Sequence, residues 1–135
     1  MPYAATAPYA ALLGLLFTLL TLRVFRERMR ARVMIGSGED RLLERAMRAH
    51  GNFAEFVPLA LVLVGLAEAM GLAGWAVHGL GGALVVARVC HAWGISREPD
   101  VAALRGIGAT LTLAVLAVAA ATLLTLALAG GAGMG

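Results

Sequence analysis

Four long apolar runs, separated by three short polar stretches, order the whole chain. The first, Tyr9 to Leu22, carries no charge and extends through Val24 and Phe25 if Arg23 lifts its guanidinium toward the membrane surface. About 17 such residues give ~26 Å of helix, barely enough for a ~30 Å hydrocarbon core. The second run is purely apolar only from Leu59 to Ala67, because charged and amide residues enter its first turns. The third occupies Ala73 to Trp93 and the fourth Val101 to Leu128. Gly36-Ser37-Gly38, Gly71-Leu72-Ala73-Gly74 and the stretch Gly94 to Asp100, with Pro99, punctuate them. Ser37 or Asp40 caps the second helix, whose positive end suits Glu39, Asp40 and Glu44. Pro58 lacks the amide hydrogen that would bond the Ala54 carbonyl, which predicts a kink just beyond Glu55. Gly79, Ala83 and Ala87, and again Ala117, Ala121, Thr125 and Ala129, form small-residue ridges that suit close helix approach. The pattern predicts an all-α membrane protein, a four-transmembrane-helix bundle in one domain over residues 1–135, with helices at about 7–32, 41–70, 73–94 and 101–129. Gly130 to Gly135 is expected to fray.

Composition agrees with a bilayer rather than water as solvent. The chain is 61% hydrophobic over 135 residues, against about 45–50% for a soluble domain. Its net charge of +3 arises from arginine, and eight of the eleven arginines lie between Arg23 and Arg48. Arg88, Arg97 and Arg105 complete the set, so the arginines bracket apolar runs rather than alternate with aromatic residues. That distribution fits positive-inside topology rather than nucleic-acid binding. It places the arginine-rich loops in the cytoplasm and both termini on the non-cytoplasmic side. No positive charge precedes the first run, so it is expected to be retained rather than cleaved as a signal. Cys90 is the only cysteine, which excludes an intramolecular disulfide, a CxxC redox pair and a multi-cysteine zinc site. His50, His78 and His91 lack metal-ligand spacing, so no metal is expected.

The candidate chemistry lies where the second run begins. Arg48, Asn52 and Glu55 stand at i, i+4 and i+7, within about 40° of one another on one helical face. His50 falls roughly 160° from Asn52 and off that face. His78, alone in the outer half of the third helix, is read as structural. Topology brings Arg88 and His91 of the third helix and Arg105 of the fourth to the same membrane depth. Polar groups at such depth pair with one another or line a cavity. An Arg–Glu clasp that only orders the bundle and a pocket for an anionic, hydrogen-bonding ligand account for the spacing equally well. In the pocket version arginines hold carboxylates, Asn52 bonds an amide and Glu55 takes an ammonium.

The stretch Glu44 to Pro58, ERAMRAHGNFAEFVP, resembles the MAPEG family, the membrane-associated proteins of eicosanoid and glutathione metabolism. The family pattern is E-R-x-x-R-A-H-x-N-x-x-E followed by proline. Arg88-Val89-Cys90-His91 is similar to its R-x-x-H in the third helix, and Arg105 to its arginine early in the fourth. The resemblance implies a homotrimer of four-helix bundles, here of a bacterial type in the inner membrane, with sites between subunits in the cytoplasmic half. It implies glutathione as cosubstrate and lipophilic electrophiles or peroxides, drawn from membrane lipid, as second substrates. By it, Arg48, Asn52 and Glu55 bind glutathione, Arg88 and His91 support them, Arg26 or Arg28 adds a contact, and Arg105 stabilises the thiolate. Gly51 stands where some members have arginine, Gly106 follows Arg105, and the third and fourth helices contain no tyrosine. No hydroxyl is thus expected from those positions to assist the thiol.

The expectation is a glutathione-dependent membrane transferase or peroxidase. The alternative is a non-catalytic relative that binds glutathione, lipid or fatty acid and is indifferent to Arg105. A small multidrug transporter is disfavoured, because the first run holds no carboxylate.

Overall fold

The computed structural model describes residues 3–132. It contains four helices: α1 (Ala7–Ala31), α2 (Arg41–Ala69), α3 (Gly74–Ser96) and α4 (Ala102–Ala132). All four are long and apolar enough to cross a membrane. The described residues include no strand.

Local chemistry sets the helix ends. Pro8 sits in the first turn of α1, where its missing amide hydrogen costs nothing. α1 ends at Arg32, which takes a left-handed φ of 55°. Gly36 and Gly38 then turn the chain at φ 71° and 57°, and a Cβ on Gly38 would strike the Val33 side chain. Of the two expected caps for α2, Asp40 is the one used: its carboxylate accepts from the Leu43 amide at 2.9 Å. That amide and the Arg30 guanidinium, 2.6 Å away, hold the Asp40 carboxyl below its ordinary pKa. α2 runs on through Pro58, and Gly71 at φ 96° turns it into α3. α4 remains helical through Ala132, past the expected start of fraying at Gly130; residues 133–135 lie outside the described part.

α2 touches all three other helices, whereas α1 and α4 do not meet among the described residues. Since lipid tails are as apolar as leucine, burial alone does not hold such helices together; close packing and interhelical hydrogen bonds do. The tightest approach joins α3 to α4. A Cβ on Gly108 would lie 2.5 Å from the Ala87 carbonyl oxygen, and one on Gly94 would lie 2.5 Å from the Arg105 amide nitrogen. Of the first expected ridge, Ala87 lies in this seam and is fully buried, whereas Gly79 has nothing within 4 Å; the second, Ala117, Ala121, Thr125 and Ala129, is exposed on the protomer surface.

At the end remote from the arginine-rich loops, Glu68 accepts from the amides of Ala5 and Thr6 and from the Thr6 hydroxyl, at 2.5–2.9 Å. Tyr9 packs on Gly81, and its hydroxyl meets His78 Nδ1 at 2.9 Å, so His78 is partnered rather than alone. At the opposite end Arg23 donates to the Ser96 hydroxyl and carbonyl instead of lying free at the surface.

Candidate functional site

α2, α3 and α4 converge at the arginine-rich end around Arg88, the largest fully buried side chain. Its Nη2 donates to Asn52 Oδ1 at 2.9 Å and lies 3.4 Å from His91 Nδ1, and its Nη1 donates to Thr112 Oγ1 at 3.4 Å. The guanidinium carbon stands 5.5 Å from the Phe53 ring centroid. Phe53 stacks on Phe17, which stacks on His50, so His50 belongs to an aromatic stack with α1. None of the ion pairs among the described residues includes Arg88, and its Nε has no hydrogen-bond partner. A buried cation held only by neutral acceptors and an aromatic face is costly in a membrane, where such residues ordinarily serve a site.

In front of this group lies a cleft of about 310 Å³ lined by Arg48, Asn52, His91, Ile95, Arg105 and the start of α4. A second cleft of about 320 Å³ shares Arg48, Ile95 and Arg105 and adds Arg41, Glu44, Arg45 and Asp100 toward the helix ends. Gly106 and Ala109, the other α4 contributors, leave room rather than chemistry. Arg105 forms an ion pair with Asp100 at 3.1 Å, with both partners partly exposed. Arg45 donates to the Ile95 carbonyl and Arg41 pairs with Glu98, tying the start of α2 to the end of α3 and the loop after it at the second cleft.

The predicted residues thus fall into three groups. Arg48, Asn52, His91 and Arg105 line one cleft, with Arg88 directly behind Asn52 and His91. Glu55 lies apart from them, exposed on α2 and without an ion pair among the described residues. The Arg48–Glu55 clasp is therefore not made within the protomer; seven residues of helix separate the two by ~10 Å. Of the α1 candidates, Arg28 donates to the carbonyls of Val33, Met34 and Gly36 and so orders its own loop. Arg26 is exposed beside Leu19, Leu22, Arg23 and Glu27, on a different surface depression.

Thr112 and Asp100 escaped the sequence reading. Thr112 follows Arg105 by seven residues, near the same face of α4, but a lone threonine in an apolar run gives no further signal. Its hydroxyl donates to the Gly108 carbonyl at 2.8 Å, which leaves its lone pair for Arg88.

Among the described residues no group of His, Cys, Asp or Glu side chains is arranged to hold a metal. The cleft is instead suited to an anion: two arginines line its wall, and a third, buried, stands behind them.

Comparison with known proteins identifies the family. The chain is 39% identical over 89 residues to the inner membrane protein YecN of Escherichia coli strain K12, covering 66% of this chain and 68% of that protein. The YecN protein of E. coli O6:H1 matches to the same extent. The profile of the MAPEG family matches residues 6–125, a span that takes in α1, α2, α3, most of α4 and every residue of the cleft. The chain is an integral, multi-pass membrane protein that belongs to the MAPEG family.

Proposed function

We propose that the protein is a glutathione-dependent transferase or peroxidase of the bacterial inner membrane, acting on lipophilic electrophiles that enter from the bilayer. The observation that carries this is the cleft in which Arg48 and Arg105 stand with Asn52 and His91, backed by a buried arginine that has no carboxylate partner among the described residues. Glutathione carries two carboxylates, and arginine recognises carboxylates bidentately. Its ammonium finds Glu44 in the outer part of the cleft, since Asp100 is already paired. Arg105 is the one arginine of α4, and its charge lowers the pKa of a nearby thiol from about 8.5 toward neutrality. The thiol's proton passes to solvent, and the thiolate attacks the electrophile to form an S–C bond as a leaving group departs; with a peroxide it breaks the O–O bond, and a second glutathione then converts the sulfenic acid to the disulfide and water. Holding the reactants together supplies much of the remaining rate.

The assembly we infer is a homotrimer whose neighbouring copy closes the cleft. Two features support it: Glu55 is an exposed carboxylate about four turns inside α2, and the small-residue face of α4 is unpacked within the protomer. By this reading the arginine-rich end faces the cytoplasm.

A second reading, a glutathione- or lipid-binding relative without catalysis, draws on the Arg105–Asp100 pair and on the lack of tyrosine in α3 and α4. Titrating the detergent-purified protein with glutathione, while following thiolate ultraviolet absorbance, separates the two. A saturable thiolate signal that Arg105→Ala reduces at least tenfold supports the enzyme. Saturable binding without thiolate supports a glutathione-binding protein, and no binding at millimolar glutathione refutes both glutathione readings and leaves a lipid site.

A further inference from the structure

We infer that the groove between α1 and α3 at the arginine-rich end binds one anionic phospholipid, whose phosphate meets Arg23 and Arg97 and whose acyl chain lies along the apolar wall beneath them. The groove shares no lining residue with the clefts described above, and the inference does not depend on the glutathione reading.

Two matching stripes of sequence build the groove. On α1, Leu16, Leu20 and Arg23 stand at i, i+4 and i+7 and so share one face. On α3, Val89, Trp93 and Ser96 repeat that spacing, with Ala92 beside them. α1 and α3 run in the same direction, and the Arg23–Ser96 contact sets the two stripes level with one another. Each wall is therefore apolar for ~10 Å of helix and then turns polar at the same height. The two helices meet less extensively than any other touching pair, which leaves a groove of about 380 Å³ between the stripes.

The polar rim is cationic and unsatisfied. Arg23 donates from Nη1 to the Ser96 hydroxyl and from Nη2 to the Ser96 carbonyl, the latter at 3.2 Å. These bonds hold its guanidinium in place and leave further N–H groups for a ligand. The Arg97 guanidinium carbon lies 4.2 Å from the centroid of the exposed Trp93 ring, an aromatic suited to the headgroup level. Neither arginine forms an ion pair among the described residues. The acidic side chains nearest them in sequence are engaged elsewhere, Glu27 with Arg30 at 2.6 Å and Glu98 with Arg41 at 3.2 Å.

An occupant that satisfies this groove carries an anion at the rim and hydrocarbon below it. Free phosphate would leave the apolar wall unmatched. A zwitterionic lipid would bring an ammonium to a rim whose neighbouring carboxylates are already paired. A phosphodiester of net negative charge, as in phosphatidylglycerol, accepts charge-assisted hydrogen bonds from both arginines and lays its chain against Leu16, Leu20 and Val89. A second copy of this chain is the weaker candidate, since the features that suit an assembly, Glu55 and the small-residue face, lie on α2 and α4.

Trp75 and Trp93 are the two tryptophans of the chain, so Trp75→Phe leaves Trp93 as a reporter within the groove. The test reconstitutes that full-length chain into phosphatidylcholine nanodiscs containing phospholipid brominated in mid-chain, which quenches tryptophan on contact. Brominated phosphatidylglycerol should quench Trp93 with roughly five- to tenfold higher relative affinity than brominated phosphatidylcholine. Arg23→Gln and Arg97→Gln should each lower that preference about threefold or more, whereas Arg32→Gln, exposed at the end of α1 and outside the groove, should change it by less than about twofold. Arg97→Gln removes no hydrogen bond to Ser96, so it decides the matter if Arg23→Gln disturbs the fold. Equal quenching by the two lipids, or an equal fall in Arg32→Gln and Arg97→Gln, would overturn the inference in favour of general surface charge. Relief of quenching by millimolar inorganic phosphate would overturn it in favour of a free-anion site. Absence of quenching by either lipid would overturn it in favour of a face covered by another copy.

Discussion

Arg105 is shared between two partners, one present and one proposed. Its pair with Asp100 leaves side-chain exposures of 48% and 30%, and ion pairs so open to solvent are worth about 0–1 kcal/mol. Such a contact holds the arginine in reserve without competing strongly with a ligand anion. Replacing Asp100 by asparagine removes both the competing acceptor and a negative charge at the cleft edge. We expect Asp100→Asn to tighten glutathione binding roughly two- to fivefold, the range set by a pair of that strength. Equilibrium titration of the two proteins checks it, and unchanged affinity would place the ligand away from Arg105. At this scale sequence reading succeeded where one helix carried the pattern. Arg48 and Asn52 could be seen to share a face because four residues make about one turn. The partner of Asn52 could not be seen, because Arg88 reaches it from another helix, across 36 positions of sequence. Thr112 was hidden for a chemical reason: a threonine in an apolar helix bonds its own backbone, as Thr18 and Thr21 do, and so gives no sign of a second bond.

At the scale of the helix, the boundaries were legible because proline, glycine and charge mark them. The contacts were not. This chain has 17 glycines and many alanines, so small residues recur at i and i+4 by chance, and a ridge found in one dimension carries little information. The glycines that matter are those facing a neighbour's backbone. Gly108 abuts the Ala87 carbonyl and the His91 amide and Cβ, whereas Gly79 faces open space. Gly108→Ala must push α4 away from α3 and should destabilise the protein by about 1–3 kcal/mol while displacing His91 from the cleft. Gly79→Ala meets nothing and should be neutral or stabilising by roughly 0.5–1 kcal/mol, the usual gain from replacing a helical glycine. Thermal unfolding of both variants beside the parent measures the contrast, and equal effects would contradict the close α3–α4 approach.

For the molecule as a whole, the buried arginine bears on how the chain enters the bilayer at all. α3 has the lowest mean hydropathy of the four spans, 1.2, and α4 the highest, 2.4. An arginine near the centre of an inserting helix costs about 2.5–3.5 kcal/mol on the translocon scale. Yet the groups that satisfy Arg88 are supplied by α2, already synthesised, and by Thr112 of α4, which is not. α3 therefore reaches the ribosome's exit as a marginal segment whose comfort depends on its successor. Insertion of α3 and α4 as one hairpin follows, the strongly apolar α4 carrying the reluctant α3 into the membrane. A chain truncated after Ser96 should leave α3 largely protease-accessible in a translation-coupled membrane assay, whereas the full chain protects it. Changing Arg88 to leucine in the truncated chain should restore insertion, although it removes the residue around which the finished cleft is organised.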